Sequence, residues 1–247
     1  MSAALVLDRV VKRFGGLQAV REVSLEVALG ERRVIIGPNG AGKTSLFHCI
    51  SGTLQVTSGR IECLGHDMTH LPEHQRTLLG IGRTFQISSV FPDLTVLENI
   101  ALARLGITST KWSLWRNALA QPGLLRLAAE ELERVGLQGR ESWMVKSMSY
   151  GERRQLELVL ALVNQPRVLL LDEPCAGLSP AERHRLSDII QNLPRSITML
   201  MIEHDMDVAL GLADRVTVLH QGQVIVEGAA DQVQNDPQVQ EVYFGQR

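Results

Sequence analysis

One short segment near the start of the chain dictates a strand, a tight loop and a helix in that order. Its sequence is Gly37-Pro38-Asn39-Gly40-Ala41-Gly42-Lys43-Thr44, which fits the pattern G-x-x-x-x-G-K-[ST]. The apolar run Arg33-Val34-Ile35-Ile36 precedes this segment, and the helix-like run Ser45-Leu46-Phe47-His48-Cys49-Ile50 follows it. Glycines let successive backbone N–H groups surround a phosphate, and a helix N-terminus attracts the same negative charge. The pattern therefore predicts a phosphate-binding loop between a buried strand and a helix.

The residues of this loop have separable expected roles. Lys43 adds a positive charge at the β- and γ-phosphate oxygens, and the Thr44 hydroxyl is a ligand for Mg²⁺. The other expected nucleotide-binding positions are Gly37, Pro38, Asn39, Gly40, Ala41, Gly42 and Ser45. The alternative, a glycine-rich turn beside a lysine, accounts for neither the strand before the loop nor the helix after it. We therefore expect the chain to bind a nucleoside triphosphate with Mg²⁺.

Composition and charge exclude several other classes of protein. A formal net charge of −2 and a pI near 6.4 give no basic surface for nucleic acid. No run of about 18 uncharged apolar residues exists, and the N-terminus lacks the basic and apolar segments of a secretory signal. Cys49, Cys63 and Cys175 are too few and too scattered for a disulfide framework or a zinc site. We expect a cytosolic protein with reduced thiols, and any membrane role must come through a partner.

The order of apolar runs predicts an α/β fold with a mostly parallel, doubly wound sheet and an antiparallel β-region at its start. Strands of the antiparallel region are expected at residues 5–11, 20–29, 33–36 and 59–63. Beyond residue 167 short apolar runs alternate with helical ones, which predicts parallel strands at 168–171, 197–202, 216–220 and 224–227. Residues 88–147 are helical and poor in strands. They are expected to form a helical subdomain inserted into a core made of residues 1–87 and 148–247.

A second chemical signal lies at the end of one predicted strand. The run Arg167-Val168-Leu169-Leu170-Leu171 is apolar almost throughout and leads into Asp172-Glu173-Pro174. Central parallel strands are buried on both faces, and ligands bind at their carboxyl ends. Asp172 is therefore expected to hold Mg²⁺, and Glu173 to act as the base toward an attacking water. The alternative, a solvated strand end before a proline turn, loses weight because a phosphate loop lies upstream, so the pair indicates hydrolysis.

A third segment points to a family. Ser149-Tyr150-Gly151-Glu152-Arg153-Arg154-Gln155 opens an amphipathic helix that leads into the Asp-Glu strand. Ser149 and Glu152 form a capping box, which predicts a helix beginning at Tyr150 whatever the function. The segment also resembles the signature sequence of ATP-binding cassette (ABC) ATPases, and the resemblance covers essentially the whole chain. It implies that the nucleotide is ATP and that Ser149, Gly151 and Glu152 face the γ-phosphate of ATP bound to another subunit.

The same resemblance suggests roles for three further residues. Gln86, in Arg83-Thr84-Phe85-Gln86, is similar to the glutamine that joins the helical subdomain and touches Mg²⁺ and the attacking water. His204 follows a predicted strand, where the family places a histidine that contacts the γ-phosphate. Phe14 matches the aromatic residue that stacks on adenine, although tyrosine is commoner there. Each residue has a structural alternative: a surface glutamine, a strand-end histidine and a core phenylalanine.

The resemblance also implies partners. Two cassettes, identical or paralogous, are expected to close head to tail over two ATP molecules and to drive membrane permease subunits, indirectly serving a solute-binding protein. The segment Ala176-Gly177-Leu178-Ser179 resembles the part of a cassette that runs along the dimer interface, and Ser179 and Glu182 form another capping box. Residues 87–94 are expected either to seal the helical insert or to accept a short permease helix. The protein is then peripheral on the inner face of the cell membrane.

The subfamily is indicated by smaller features. Tyr150 in place of the commoner glycine, together with residues 91–100, 175–178 and 235–245, resembles importer ATPases for branched-chain amino acids. Uptake systems for urea or short amides and the ATPase of lipopolysaccharide export share much of this pattern. Soluble cassette ATPases of translation or DNA repair normally have two cassettes or a long coiled-coil insert, and this sequence shows neither. A P-loop kinase would leave the signature, Gln86 and His204 unused. We predict an ATPase that energises import of a small solute, with branched-chain amino acids favoured.

Overall fold

The computed structural model describes residues 3–84, 90–105 and 122–244. The chain divides into two compact units, which we call the sheet unit and the helical unit. The sheet unit comprises Met1–Ile81, Arg167–Glu173 and Leu193–Arg247, and the helical unit comprises Gly82–Pro166 and Pro174–Asn192. The helical unit takes in more of the chain than the expected insert of residues 88–147, because the helices that precede and follow the Asp-Glu strand belong to it.

Two sheets lie in the sheet unit, apart from Gly82 and Arg83 of the edge strand β6, which belong to the helical unit. The strands are β1 (Ala3–Phe14), β2 (Leu17–Ala28), β3 (Arg32–Ile36), β4 (Ser58–Cys63), β5 (His66–Asp67), β6 (Ile81–Arg83), β7 (Val168–Asp172), β8 (Thr198–Ile202), β9 (Arg215–His220) and β10 (Gln223–Gly228). One sheet is antiparallel, with the order β2-β1-β4-β5, and the other has the order β10-β9-β3-β8-β7-β6. In the second sheet β9, β3, β8 and β7 pair in parallel. The predicted α/β fold with a mostly parallel sheet is confirmed.

Two predicted strands pair differently from the expectation. Residues 33–36 belong to β3, which lies inside the parallel sheet and not in the antiparallel region. All five residues of β3 are buried, as is typical of a central parallel strand. Residues 224–227 lie in β10, which is antiparallel to β9 because Gln221 and Gly222, both with positive φ, form a tight hairpin turn. The short strands β5 and β6, of two and three residues, have no periodicity from which to predict them.

The helices fall into both units. Those of the sheet unit are α1 (Lys43–Ser51), α2 (Glu73–Leu78), α7 (Met206–Leu212), α8 (Ala230–Gln234) and α9 (Pro237–Phe244). Those of the helical unit are α3 (Val96–Leu105), α4 (Pro122–Arg134), α5 (Tyr150–Leu162) and α6 (Pro180–Gln191). Helices α3, α4 and α5 pack on one another. Both predicted capping boxes are present, so α5 begins at Tyr150 and α6 at Pro180 as expected.

Helix α1, which follows the phosphate loop, is anchored by the core of the sheet unit. It contacts β1 and β2 of the antiparallel sheet and β7 and β8 of the parallel sheet. Leu46, Phe47 and Ile50 are fully buried in that core. The three cysteines, Cys49, Cys63 and Cys175, are free and buried. Within the described ranges, no helix has the length and apolar character needed to cross a membrane.

Candidate functional site

The strand order places three of the predicted segments at one edge of the parallel sheet. Strand β8 lies between β3 and β7, and Ile202 at its end is in register with Ile35 on one side and Asp172 on the other. Because the three strands are parallel, the chain leaves all of them at the same edge. The phosphate loop follows β3, Glu173 follows β7, and His204 follows β8. The structure therefore brings these predicted residues together in the sheet unit.

The phosphate loop depends on glycine at its tip and at the start of the helix. Gly40 has φ of 79° and Gly42 has φ of 100°, in the left-handed region that favours glycine. A side chain at Gly40 would meet open space, whereas one at Gly42 would collide with the carbonyl oxygen of Ala19. Gly42 is thus required both for its conformation and for the close approach of β2.

Lys43 is held over the loop by the loop's own carbonyl groups. Its ammonium donates to the carbonyl oxygen of Gly37 at 2.6 Å and to that of Pro38 at 3.2 Å. Burial lowers the pKa of Lys43, and the charge of the Glu173 carboxylate partly opposes this effect. The ammonium is therefore preorganised above the loop, where phosphate oxygens can replace the carbonyls as its partners. Thr44 and Ser45, half-buried, follow in the first turn of α1.

The two acids after β7 have different environments. Asp172 is the last residue of the strand and only 1% of its surface is exposed. Glu173 has a left-handed backbone with φ of 46°, and its N–H donates to the carbonyl oxygen of Ile202 at 3.0 Å. A left-handed conformation costs a non-glycine residue about 1–2 kcal/mol, and such strain concentrates at functional sites. The conformation places Oε2 of Glu173 3.7 Å from Nδ1 of His204, which is largely exposed.

The chemistry of these residues fits a magnesium ion. Mg²⁺ binds through hard oxygen ligands, usually one or two protein groups together with water and phosphate oxygens. The Thr44 hydroxyl and the Asp172 carboxylate are such ligands, and both lie in segments at the same sheet edge. Gln86, the third expected ligand, lies outside the described residues.

Phe14 is the last residue of β1 and is 46% exposed, so the alternative of a core phenylalanine is wrong. The ammonium of Lys12 lies 5.0 Å from the centre of the ring, within the range of a cation–π contact. An exposed ring beside a cation has a face available for stacking. Stacking on adenine stays a prediction.

The signature segment caps its own helix in the helical unit. The Ser149 hydroxyl accepts the N–H of Glu152 at 3.2 Å, and the Glu152 carboxylate accepts the N–H of Ser149 at 2.8 Å. Glu152 is also paired with Arg140 at 2.7 Å. Because Ser149 accepts in the cap, its own O–H remains able to donate to an anion. Gly151 lies directly against the Glu182 carboxylate, where a side chain would collide.

Some residues that support the site are not predicted from the sequence. Gly222, in the hairpin turn between β9 and β10, donates its N–H to the carbonyl oxygen of Ala41 at 2.8 Å. Tyr243 of α9 interacts with the backbone of Gly37, and burial raises the pKa of its phenol to about 12. The Gln-Gly dipeptide is a turn signal. Nothing in the sequence connects that turn, or Tyr243, with a loop about 180–200 residues away.

A cavity of about 350 Å³ lies within the helical unit. Its lining includes Phe91, Asn99, Leu102, Ala103, Glu157 and Leu160. The Asn99 side chain fixes the backbone of Phe91, accepting its N–H at 2.8 Å and donating to its carbonyl oxygen at 3.1 Å. The ring of Phe91 is nevertheless exposed, with 54% of the residue accessible. This exposure does not fit the alternative in which Phe91 seals the insert. Residues 87–89 lie outside the described residues.

Comparisons with known proteins agree over the length of the chain. A family model described as ABC transporter matches residues 20–176, and one described as branched-chain amino acid ATP-binding cassette transporter matches residues 223–247. The high-affinity branched-chain amino acid transport ATP-binding protein LivG of Salmonella typhimurium is 37% identical over 251 residues, with 98% of each chain covered. The corresponding protein BraF of Pseudomonas aeruginosa is 34% identical over 249 residues, again with 98% of each covered.

Solved structures give the same result. The ADP conformation of an ATP-binding cassette of an ABC transporter is 31% identical to this chain, with a TM-score of 0.88 and 100% of both chains covered. A nucleotide-free ATP-binding cassette from an ABC transporter is also 31% identical, with a TM-score of 0.87 over 99% of this chain and 100% of that one.

Proposed function

Because the chain belongs to the ABC transporter family of ATP-binding cassettes and is an ATPase, we propose that it energises the import of branched-chain amino acids. Three observations support this solute class. The relatives LivG and BraF are named for the transport of branched-chain amino acids. The C-terminal residues 223–247 match a family model with the same description. Tyr150 in the signature resembles that group as well.

The observation that carries the proposal is the meeting of the phosphate loop, the Asp-Glu pair and His204 at one sheet edge. The loop and Lys43 hold the phosphates, and Phe14 stacks on adenine. Glu173 acts as the base toward the attacking water, and His204, beside Glu173, contacts the γ-phosphate. Thr44, Asp172 and Gln86 would hold Mg²⁺, which would neutralise charge on the phosphates.

The site is completed by a second cassette in this proposal. Ser149 and Gly151 of one cassette, at the N-terminus of α5, face the γ-phosphate of ATP held by the phosphate loop of the other. The hydroxyl proton of Ser149 supports this role, because the capping bond uses the oxygen only as an acceptor. Glu152 secures the same helix start through the capping box and its pair with Arg140. The second cassette is either another copy of this chain or a paralogue.

A permease helix is proposed to occupy the cavity of the helical unit. Phe91 is part of the lining of this cavity. Its backbone is fixed by Asn99, and its side chain is exposed. An exposed apolar side chain on a fixed backbone, beside a cavity that Leu102, Ala103 and Leu160 help to line, suits an amphipathic helix that docks into a groove. Closure of the cassette pair would then move the permease between its two open states. The protein is peripheral on the inner face of the membrane in this proposal.

Two substitutions test the chemistry. Glu173→Gln is expected to keep ATP bound while slowing hydrolysis by roughly 10²–10⁴-fold, the usual effect of losing a general base. Lys43→Ala is expected to weaken ATP binding and hydrolysis together, because the charge on the phosphates is lost. ATP affinity is measured by equilibrium binding and turnover by phosphate release. The control is Glu133→Gln, an exposed acid on α4, which should behave as the parent. Parent-rate hydrolysis by Glu173→Gln would show that another group is the base.

A further inference from the structure

Tyr150 makes contacts that the proposed function does not use. The residue is 40% exposed at the first position of α5, but its hydroxyl group is fully engaged. The hydroxyl oxygen accepts the Nε–H of Arg154 at 3.1 Å, and the hydroxyl proton is donated to the carbonyl oxygen of Ala176 at 3.2 Å. Tyr150 therefore bridges its own helix and residues 175–179, which we call the interface loop.

Arg154 gives this bridge a rigid base. Its side chain is 9% exposed, and its guanidinium lies 5.3 Å from the centre of the Tyr150 ring. One turn further along α5, Glu157 pairs with the same guanidinium at 3.0 Å. Burial alone would lower the pKa of Arg154, but the Glu157 carboxylate and the Tyr150 hydroxyl raise it overall, so Arg154 stays charged. A hydrogen bond from a buried, paired cation is stronger and more directional than one between neutral groups.

The interface loop and the first turn of α6 also approach α5, each at a contact that involves one glycine. Gly177 has φ of 74°, and a side chain there would come within 3.3 Å of the Tyr150 ring and hydroxyl. On the other flank the Glu182 carboxylate, which caps α6, lies against Gly151. Hydrogen bonds from the Ser179 hydroxyl, the Ser179 N–H and, to a smaller extent, the Gly151 N–H lower the pKa of Glu182. The start of α5, the interface loop and the start of α6 thus form one hydrogen-bonded assembly.

We propose that Tyr150 is a positioning residue that keeps the interface loop in register with the signature at the start of α5. The inference rests on the proposed function, in which the signature meets the second cassette when two ATP molecules bind, and on the resemblance of residues 176–179 to the cassette segment that runs along the dimer interface. If the loop moved independently, its conformational freedom would have to be lost at every closure of the dimer. The bridge removes that freedom beforehand, so the closed dimer forms more readily. A glycine at position 150 has no side chain with which to do this.

The tether itself is tested without nucleotide. Tyr150→Phe keeps the ring over Arg154 and removes only the hydroxyl, so both hydrogen bonds are lost. Hydrogen exchange of peptides covering residues 174–180 is expected to become about fivefold to tenfold faster, which corresponds to the loss of the one hydrogen bond to Ala176. Exchange in residues 153–162 of α5 should stay at the parent rate. The matched control is Glu133→Gln in the same unit, which should leave residues 174–180 unchanged.

The positioning role is tested by ATP-dependent pairing. In the Glu173→Gln background, Tyr150→Phe is expected to raise the dimer dissociation constant by about tenfold, measured by sedimentation with ATP. ATP affinity of the monomer should stay at the parent value, and the thermal unfolding midpoint should fall by no more than about 4 °C, the effect of one or two lost hydrogen bonds in a chain of this size. In the assembled transporter, kcat should fall by a similar factor with KM unchanged. Arg154→Lys, which cannot form the same bond to Tyr150, should have the same effect, and the double variant should be no worse than either single variant.

Two results would overturn the proposal. Parent-rate exchange in residues 174–180 of both Tyr150→Phe and Arg154→Lys would show that no tether exists. Faster exchange with unchanged dimerisation and unchanged kcat would show that the tether is only structural. A parent chain that does not hydrolyse ATP would instead refute the proposed function, and the exchange comparison would still decide whether the tether exists.

Discussion

Individual residues of the site depend on backbone conformation as much as on their side-chain chemistry. The glycine-rich pattern predicts a loop whose backbone surrounds a phosphate, and Gly40 and Gly42 adopt the left-handed conformations of that loop without strain. The left-handed backbone of Glu173 could not be predicted, since it depends on a hydrogen bond to Ile202 in the neighbouring strand. Residue types therefore reveal the candidate chemistry, whereas the orientation of the base depends on tertiary structure.

A glycine can be required for its left-handed backbone or for the close approach of another segment, and Gly42 and Gly65 allow these two requirements to be separated. Both have positive φ, but Gly42 faces the Ala19 carbonyl while Gly65, in the turn between β4 and β5, faces open space. Gly65→Ala is expected to cost about 1 kcal/mol of unfolding free energy with ATP affinity unchanged. Gly42→Ala must also move the loop, so its dissociation constant for ATP should rise at least tenfold. Urea unfolding and equilibrium nucleotide binding measure the two effects. Equal ATP affinity of the two variants would mean that the contact with Ala19 does not shape the loop.

Whole elements were predictable wherever a local signal determines them. The capping boxes at Ser149 and Ser179 depend on residues three positions apart, and both helices begin where these predict. The pairing of β3 depends on which distant strands lie beside it. All five of its residues are buried, but this burial does not identify the neighbouring strands. The prediction that residues 33–36 belong to the antiparallel region, which relied on their neighbours in sequence, was wrong for this reason.

Helix α1 illustrates an element whose end is stabilised from outside. Nη1 of Arg76, in α2, donates to the carbonyl oxygens of Cys49 and Ile50, each at 2.7 Å, and Nε donates to that of Leu71 at 2.8 Å. Arg76 is 1% exposed, so water cannot replace it. A positive charge at the C-terminus of α1 is also favoured by the helix dipole. The helix that begins in the phosphate loop is thus fixed at its far end by one buried cation.

Replacing Arg76 should therefore destabilise the sheet unit without altering the chemistry of the site. Arg76→Met keeps much of the volume but leaves buried carbonyl groups without donors, which should cost about 3 kcal/mol of unfolding free energy. Arg76→Lys should recover only part of this, because a single ammonium cannot reproduce the guanidinium geometry. The exposed Arg126→Met on α4 is the control and should stay within about 0.5 kcal/mol of the parent in urea unfolding. If Arg76→Met also stayed within about 0.5 kcal/mol of the parent, Arg76 would not be needed to cap the C-terminus of α1.

At the scale of the whole molecule, the order of the motifs was sufficient to identify the family. The phosphate loop, signature, Asp-Glu strand and His204 occur in one order, and the family match and the solved relatives agree with it. The boundaries of the two units could not be predicted with the same accuracy. Helix α5 packs on α3 and α4, and α6 belongs to the same unit although the Asp-Glu strand separates it from α5 in sequence. The supports of the loop by Gly222 and Tyr243 were missed because they are long-range contacts.

The transporter as a whole can be tested through Phe91. Its exposed ring beside the cavity is proposed to contact a permease helix, and the polar contacts that fix this segment involve backbone atoms of Phe91. Phe91→Asp should therefore leave the fold and the ATP affinity unchanged, while association with permease-containing membranes weakens at least tenfold, because a charge would enter an apolar interface. Leu125→Asp is the matched control, since Leu125 is 45% exposed in the same unit and is not part of the lining of the cavity.

Both variants are assayed by co-sedimentation with these membranes, by leucine uptake, and by equilibrium ATP binding and thermal unfolding of the isolated chain. Loss of association and uptake in Phe91→Asp but not in Leu125→Asp is the expected result. An unfolded Phe91→Asp chain would support the alternative in which this ring belongs to the core, despite its exposure. A folded Phe91→Asp chain with full leucine uptake would refute docking at the cavity. Because ATP binding is measured on the same preparations, either outcome leaves the assignment of the nucleotide site to be judged separately.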